Sequence, residues 1–324
     1  MSGRRRGQAG AALLLVFWAL VLAASLAAAL ALSARSELSG SRGFEDLARA
    51  RHLADGGVHL ALALFDKEAG LASRLDGEGV RRAEFTLGGE VVTVALVDET
   101  GKVDLNEAPR LLLEAALRAV GLGGRQAEAL ADAVLDWRDG DNQAGDGGSE
   151  AVAYARAGLA YRPRNADFLD IAELLLLPGM DAALFRRLAP FVTVHSGLAA
   201  IDPRYAPAGL LRALSAAGAD SEAMERLLEV RRAGGDAAEP PPLPPVPGTQ
   251  GLFTGSHRLA FTIAAEAPLP SGARFRREAV VWLRGDGRQP FAFLAWRAPG
   301  HGLAGEAATA ALPGRRGGAS VRAD

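Results

Sequence analysis

The chain has 324 residues, a formal net charge of −2 and no cysteine. The near-neutral charge excludes the global basic field that holds nucleic acid, and the lack of cysteine excludes thiol catalysis and cysteine-ligated zinc. The length allows roughly two domains. A chain of this size can build its core without disulfides, so the lack of cysteine does not indicate in which cellular compartment the protein lies.

The first predicted element is a membrane-spanning helix at residues 11–32. This stretch contains no charged residue, and a helix crosses a bilayer core with roughly 20 apolar residues. Three arginines, Arg4, Arg5 and Arg6, precede it. The positive-inside rule therefore keeps the N-terminus in the cytoplasm and places the rest of the chain outside.

A secretory signal peptide is the alternative for this stretch. Its cleavage site would be Ala29-Leu30-Ala31, a small-x-small sequence. A signal peptide has an apolar core of roughly 7–15 residues, however, and here the core is longer. Apolar residues also continue at three- and four-residue steps up to Phe65, with no proline before it. The pattern predicts one long helix whose first half lies in lipid and whose second half packs on a domain.

Residues 5–18, RRGQAGAALLLVFW, resemble the prepilin-type leader of the type II secretion minor pseudopilin K family, also called general secretion pathway protein K. The resemblance implies cleavage by prepilin peptidase after Gly10, which leaves Ala11 as the mature N-terminus; Gly7 is an alternative cleavage point. Leu15 occupies the fifth mature position, where ordinary pilins carry Glu. The lack of that Glu is characteristic of the K subunit.

A β-hairpin follows the long helix. Glu84–Leu87 and Glu90–Val97 are β-rich runs on either side of the pair Gly88-Gly89, which is a strong hairpin signal. The order of helix and hairpin fits a pilin, in which the helix lies across a small antiparallel sheet. Three further β-rich stretches resemble the closing strands of that sheet: Arg258–Ala265, Arg274–Leu283 and Phe291–Arg297.

Between these strands the chain reads as helical. The predicted helices are Pro109–Val120, Arg125–Trp137, Leu169–Leu177, Ala182–Leu188, Ala208–Ala217 and Ser221–Arg232. Residues 103–138 resemble residues 200–232: each has a polar entry, Ala-Pro, an apolar helix, a Gly turn and a second helix. The segment from Asp98 to Pro109, DETGKVDLNEAP, also resembles the K family. These repeats look like helix-hairpin-helix modules.

Helix-hairpin-helix modules raise a second function, because many of them bind DNA phosphates through backbone amides at a helix N-terminus. The alternative reading is therefore a membrane-anchored or exported DNA-binding protein. Two observations weigh against it. The anchor places the modules outside the cytoplasm, and the turns lack a clustered Lys/Arg face. We expect the hairpins to pack on one another and bury Leu and Ala, with no nucleic-acid partner.

One stretch of the sequence suggests a specific chemistry, and it is acidic and rich in glycine. It runs from Asp136 to Tyr154, DWRDGDNQAGDGGSEAVAY. Calcium takes about six to eight oxygen ligands, and glycines let a chain curl so that several oxygens converge. The spacing differs from that of an EF-hand. From spacing alone, a calcium site and a solvated acidic loop are about equally supported.

The resemblance favours calcium. K subunits carry a D-W-x-D-x-D stretch followed by G-x-E, and calcium binding is associated with the family. This sequence keeps Asp136, Asp139, Asp141 and Glu150 at those positions, and the resemblance implies that they are the metal ligands. Trp137 is expected to anchor the stretch to the core.

Together these observations predict an α+β fold. A long transmembrane and amphipathic helix lies on a small antiparallel pilin-like sheet, and a large all-α insertion of helix-hairpin-helix-like units interrupts the sheet. The predicted segments are a leader at 1–10, a transmembrane helix at 11–32, a pilin-like helix and hairpin at 33–98, the insertion at 99–238, a proline linker at 239–250, returning strands at 251–297 and a disordered tail at 298–324.

The resemblance implies a single-pass inner-membrane protein with its C-terminal domain in the periplasm. Its expected partners are prepilin peptidase, inner-membrane lipid and the minor pseudopilins I, J and H, with which it starts and caps the pseudopilus that exports folded proteins across the outer membrane. Leu15 and the bulky insertion favour a tip position, since Leu15 cannot pair with a neighbour's N-terminal amine and the insertion blocks further addition. No nucleophile–base pair or phosphate loop stands out, so no enzyme is predicted.

Overall fold

The computed structural model describes residues 7–65, 80–140, 154–156, 158–233, 241–255, 260–283, 291–298 and 321–322. The helices are α1 (Gly7–Phe65), α2 (Arg110–Ala119), α3 (Gly124–Arg138), α4 (Ala182–Leu188), α5 (Ala208–Ser215) and α6 (Ser221–Ala233). The strands are β1 (Val80–Leu87), β2 (Glu90–Asp98), β3 (Val103–Asp104), β4 (Val192–Thr193), β5 (Ala260–Pro268), β6 (Arg274–Leu283), β7 (Phe291–Arg297) and β8 (Val321–Arg322).

Helix α1 is continuous over 59 residues, which confirms the long helix up to Phe65. Its segment Leu13–Leu30 has a mean hydropathy of 2.6 and no buried residue, and it is the candidate membrane span found among the described residues. The large apolar side chains there meet no other part of the described chain. Lipid is the environment in which such a surface is stable.

The main sheet has six strands in the order β7-β6-β5-β2-β1-β8. All neighbours are antiparallel except β1 and β8. The hairpin turn Gly88-Gly89 has φ angles of 57° and 84°, the left-handed conformations that a two-residue hairpin turn needs. The expected combination of an N-terminal apolar helix and an antiparallel sheet is confirmed.

The helical block is inserted between two neighbouring strands. Residues Thr93–Asp98 of β2 pair with Phe261–Glu266 of β5, so the chain leaves the sheet at Asp98 and returns beside it. Two separate apolar cores result. One core lies within the helical block, and the other lies between α1 and the main sheet.

Contacts between α1 and the hairpin show in which direction β2 runs relative to the helix. In the C-terminal half of α1, the Arg49 guanidinium donates to the carbonyl oxygen of Gly88 at the hairpin turn. Further along, Gly57 packs against Val92 and Val94 of β2. Because β2 then advances roughly 20 Å to Asp98, the helical block joins the sheet at the end away from the candidate membrane span.

The block departs from an all-α structure in two places. Strands β3 and β4 form a two-stranded parallel sheet, in which the entry of the block at Val103–Asp104 runs beside Val192–Thr193 from its middle. The predicted α-helix Leu169–Leu177 is instead a 3-10 helix over Ile171–Leu176. Asp170 caps one end and Pro178 follows the other, so the segment is confined to the short length that is usual for a 3-10 helix.

The linker and tail also differ from expectation. Val246 is buried in the core of the block, and Ile201 pairs with Leu252 and Phe253. Residues 251–254 therefore belong to the block, and the described part of the returning strand begins at Ala260. In the tail predicted to be disordered, Val321 and Arg322 instead form β8 beside β1, whose outer edge has backbone groups open to pairing. Residues 299–320 lie outside the described residues.

Candidate functional site

The end of α3 places the start of the acidic stretch. Trp137 is 4% exposed, stacks on Phe168 with ring centroids 5.8 Å apart, and donates from Nε1 to a carboxylate oxygen of Glu173 at 3.2 Å. The indole is thus held by both its face and its nitrogen. Its position fixes the direction in which the chain leaves the helix.

Two of the four sequence-predicted calcium ligands are described. Asp136 and Asp139 lie at the C-terminal end of α3 with partly exposed side chains, and the Asp139 N–H donates to the carbonyl oxygen of Leu135. Asp141 and Glu150 lie outside the described residues. Within the described part of the chain, no group of three or more Asp, Glu, His or Cys converges as a metal site. Carboxylate oxygens are the donors that calcium prefers, so the two described residues fit one side of such a site.

Arg138 locks this helix end to the entry of the block. Its guanidinium donates to the carbonyl oxygens of Leu105 and Ala108 at 2.8 and 2.9 Å. Burial lowers the pKa of Arg138, and the nearby carboxylates, Glu107 first among them, oppose that shift. The cation is used on backbone carbonyls, which accounts for an Arg at the end of the helix.

Asn106 explains the Leu-Asn of the family-like segment. Its side-chain amide donates to the Phe168 carbonyl oxygen at 3.0 Å and accepts from the Phe168 N–H at 2.7 Å. Asn106 thereby fastens the residue on which Trp137 stacks. Sequence reasoning missed this contact, because 62 residues separate the partners.

The junction between sheet and block is a short buried polar segment, Asp98–Gly101. The Asp98 carboxylate accepts from the Thr100 N–H at 2.9 Å and from the Thr100 hydroxyl at 2.6 Å. The Thr100 carbonyl oxygen accepts from the N–H of Asp202 in the block. Asp98 thus orders the turn that carries the block.

Glu99 joins the sheet to the block through its carboxylate. It accepts from Lys102 Nζ and from the Thr262 hydroxyl, each at 2.6 Å. Burial raises the pKa of Glu99, but the Lys102 ammonium and the hydrogen bonds from Lys102, Thr193 and Thr262 outweigh it, so the pKa lies below its ordinary value. A small polar cavity opens beside Glu99, with His195 among its lining residues, and burial lowers the pKa of His195.

Asp98 makes stability depend on pH. Burial raises the pKa of Asp98 to about 6, although the Thr100 hydrogen bonds and Arg81 act in the opposite direction. The folded protein therefore holds a proton that the unfolded chain has lost, and stability falls as pH rises from about 4 to 6. At about 1.4 kcal/mol per pKa unit, the cost above pH 6 is about 2–3 kcal/mol.

We expect Asp98→Asn to remove that cost, because the Asn Oδ1 accepts both Thr100 hydrogen bonds and carries no charge. Urea unfolding of the full chain should show little difference between variant and wild type at pH 4 and a more stable variant at pH 7. Asp181→Asn is the control, because it removes the charge of a helix-capping carboxylate that is exposed rather than buried. A constant difference for Asp98→Asn across the pH range would contradict the assignment.

The comparisons agree on one secretion machinery. A family model for type II secretion system protein K matches residues 94–197. A type II secretion system protein K from Klebsiella pneumoniae is 30% identical over 255 residues, which cover 70% of this chain and 76% of that protein. The Pseudomonas aeruginosa protein is 29% identical over 58% of this chain and 62% of its own length. For the Dickeya chrysanthemi protein the values are 35% identity, 35% and 32%.

A solved structure supports the fold. A chain in the crystal structure of the GspK-GspI-GspJ complex from the enterotoxigenic Escherichia coli type 2 secretion system matches with a TM-score of 0.51 and 17% identity. The match covers 82% of this chain and 98% of that one. The matched region spans less than two thirds of the Pseudomonas and Dickeya relatives.

These similarities place the chain among the type II secretion system proteins, with a candidate membrane-spanning helix, an antiparallel sheet and an inserted helical block. More narrowly, the chain belongs to the type II secretion system protein K family.

Proposed function

We propose that this chain is a minor pseudopilin that sits at the tip of the type II secretion pseudopilus and starts its assembly. The observation that carries the proposal is the position of the helical block at the end of the sheet away from the candidate membrane span. A block at that end obstructs the site where a further subunit would add above. Leu15 supports the same position, because it provides no carboxylate for a neighbour's N-terminal amine.

The proposal includes partners and location. The chain is anchored in the inner membrane by α1, with its body in the periplasm, and assembles with pseudopilins I, J and H to drive export of folded proteins across the outer membrane. The solved complex supports the partnership with I and J, since a chain of similar fold occurs there in a complex with GspI and GspJ. Co-expression of the full chain with proteins I and J of the same secretion system, followed by affinity purification in detergent, tests the assembly. Failure to co-purify with either protein would overturn it.

Processing is tested separately by mass spectrometry of the membrane-inserted protein. We expect a mature N-terminus at Ala11, produced by prepilin peptidase after Gly10. Substitution of Gly10 by Val should leave the full-length form, because the peptidase cleaves after a small residue. A mature protein starting at Leu32, directly after Ala29-Leu30-Ala31, would instead support signal-peptide export.

The helix-hairpin-helix reading of the paired helices α2–α3 and α5–α6 leads to the DNA-binding alternative. Four described arginines of these helices, Arg110, Arg118, Arg212 and Arg226, form ion pairs with acidic neighbours. Such pairs weaken an attraction for phosphate. Filter binding over a salt series separates the two functions, because DNA binding falls steeply with salt. Salt-dependent retention of DNA would favour the alternative.

We also propose that Asp136, Asp139, Asp141 and Glu150 hold one calcium ion. Calcium would cross-link the end of α3 to the acidic stretch, while Trp137 keeps that helix end in place. Thermal unfolding of the full chain should occur at a lower temperature after chelation, and Asp139→Ala should make the chelator without effect. Glu128→Ala, on the same helix but outside the acidic stretch, is the control. An unchanged melting temperature on chelation of wild type would remove the site.

A further inference from the structure

The two edges of the main sheet differ. At one edge β8 pairs with β1, whereas at the other edge β7 has a partner only in β6 among the described strands. Among the described residues no strand pairs with the outward backbone N–H and C=O groups of β7, which leaves this edge open to a strand from another chain. An edge strand of this kind is a template for strand addition.

Strand β7 lacks the usual protection against such pairing. Its sequence, FAFLAWR, contains no proline or lysine, and its one charged residue, Arg297, forms an ion pair with Asp170 at 2.6 Å. Edge strands that must stay unpaired commonly carry proline or exposed lysine. The β7 edge is apolar and its one charge is engaged.

A β-bulge shapes the surface beside this edge. The register between β6 and β7 shifts at Val280 and Val281, so Phe293 pairs with Val281 while Trp296 pairs with Ala279. Val281 and Ala279 both face the core under α1. The bulge at Leu294 thus places Phe293 and Trp296 on the same face, although three residues separate them.

Phe293, Trp296 and His59 of α1 form an aromatic shelf along the edge. The Phe293 and Trp296 ring centroids lie 4.9 Å apart, and the His59 ring lies 5.9 and 5.6 Å from them. Both large rings remain 38% exposed. The Arg277 guanidinium lies 5.0 Å from the Trp296 ring centroid and makes a cation–π contact with this ring. A rigid apolar surface of this kind accepts a side chain that alternates inward from an added strand.

Lipid does not reach this surface. About 29 residues of continuous helix separate Leu30, the last residue of the candidate span, from His59. At about 1.5 Å per residue, the shelf lies roughly 43 Å beyond the span. A helix laid on the shelf would leave the β7 backbone groups unpaired, whereas an extended segment satisfies the backbone and covers the rings together.

We propose that the β7 edge and the aromatic shelf bind an extended segment of a neighbouring pilin-like subunit by β-strand addition. This rests on the proposed function, because it assigns one contact within the assembly with pseudopilins I and J. The added segment pairs its backbone with β7 and sets an apolar side chain on Phe293 and Trp296.

The test uses the full chain co-expressed with proteins I and J. We expect Leu294→Lys and Ala295→Lys to weaken the assembly at least tenfold in a titration, since exposed lysines on an edge strand block pairing. Val91→Lys is the matched control, because Val91 is 48% exposed but lies on β2, an inner strand that is paired on both sides. Thermal unfolding of each variant establishes that it folds.

Site-specific cross-linking gives a second, independent measurement. A photo-activated benzoylphenylalanine in place of Leu294 should cross-link to an extended segment of I or J, identified by peptide mass spectrometry. Cross-links only between two copies of this chain, or only to its own residues 299–320, would overturn the proposal, as would lysine variants that bind like wild type. If wild type does not assemble with I or J at all, the proposed function fails instead.

Discussion

Gly101→Ala is expected to destabilise the protein by about 3 kcal/mol, at the upper end of the usual cost of overpacking. A Cβ at Gly101 would lie 2.3 Å from the carbonyl carbon and 2.4 Å from the carbonyl oxygen of Tyr205, and 2.6 Å from the Ala206 nitrogen. All three are main-chain atoms, so no side-chain rotation relieves the clash. The junction and the segment 202–206 of the block must then separate.

That segment has little freedom to move. The Asp202 N–H donates to Thr100 at 2.8 Å, and the buried Arg231 guanidinium donates to the carbonyl oxygens of Pro203 and Ala206. A shift at Gly101 therefore breaks hydrogen bonds of buried groups as well as packing. We expect a lower urea midpoint for the full chain in detergent.

Gly123→Ala is the matched control for this variant. Gly123 has no atom within 4 Å of a Cβ and a φ of −75°, so only a small N-cap effect, below about 1 kcal/mol, is expected. Gly101 is absent from the glycines with positive φ, so backbone strain does not enter the comparison. Equal midpoints for the two variants would show that the close approach does not govern stability.

The elements with local signals were predictable from sequence. The Gly88-Gly89 pair fixes a hairpin because both φ angles are positive, and the apolar period of α1 continues to Phe65 because one helix face packs on the sheet. Most predicted helices of the block begin within two residues of the observed ones. Each of these signals resides within a short stretch of chain.

The rest depends on contacts between distant residues. Strands β3 and β4 contain two residues each and pair across 89 positions, from Val103 to Val192, so no alternating pattern marks them. Thr262 and Glu99 are likewise joined only by the fold. Short pairings of this kind have no sequence period.

The candidate calcium site shows the same division. The acidic composition and the role of Trp137 as an anchor were predictable from the sequence, and Trp137 is buried against Phe168. The means by which Phe168 is held, the Asn106 amide, was not legible, since it acts through two hydrogen bonds over 62 residues. Composition identifies the candidate carboxylate ligands, whereas their positions depend on the fold of the whole block.

The second large effect is expected at the ion pair that fastens α1 to the sheet. Arg277 on β6 is 4% exposed and donates to the Asp55 carboxylate on α1 at 2.5 Å, with Trp296 stacked against the guanidinium. Asp55→Leu should cost about 3 kcal/mol, because it leaves a buried cation without its partner. Glu225→Ala breaks the exposed Arg212–Glu225 pair and should cost less than about 0.5 kcal/mol.

A double-mutant cycle separates the penalty of the orphaned charge from the value of the pair. Arg277→Met keeps a flexible apolar side chain beside Trp296, so Asp55→Leu combined with Arg277→Met should be more stable than Asp55→Leu alone. Urea unfolding gives the free energies, and hydrogen exchange over residues 45–65 reports whether α1 has loosened from the sheet. A double variant whose loss of stability equals the sum of the two single losses would show that the isolated charge is not the source of the cost. In either case exchange should quicken in α1 before the helical block, because the two cores are separate and only the core under α1 contains the pair.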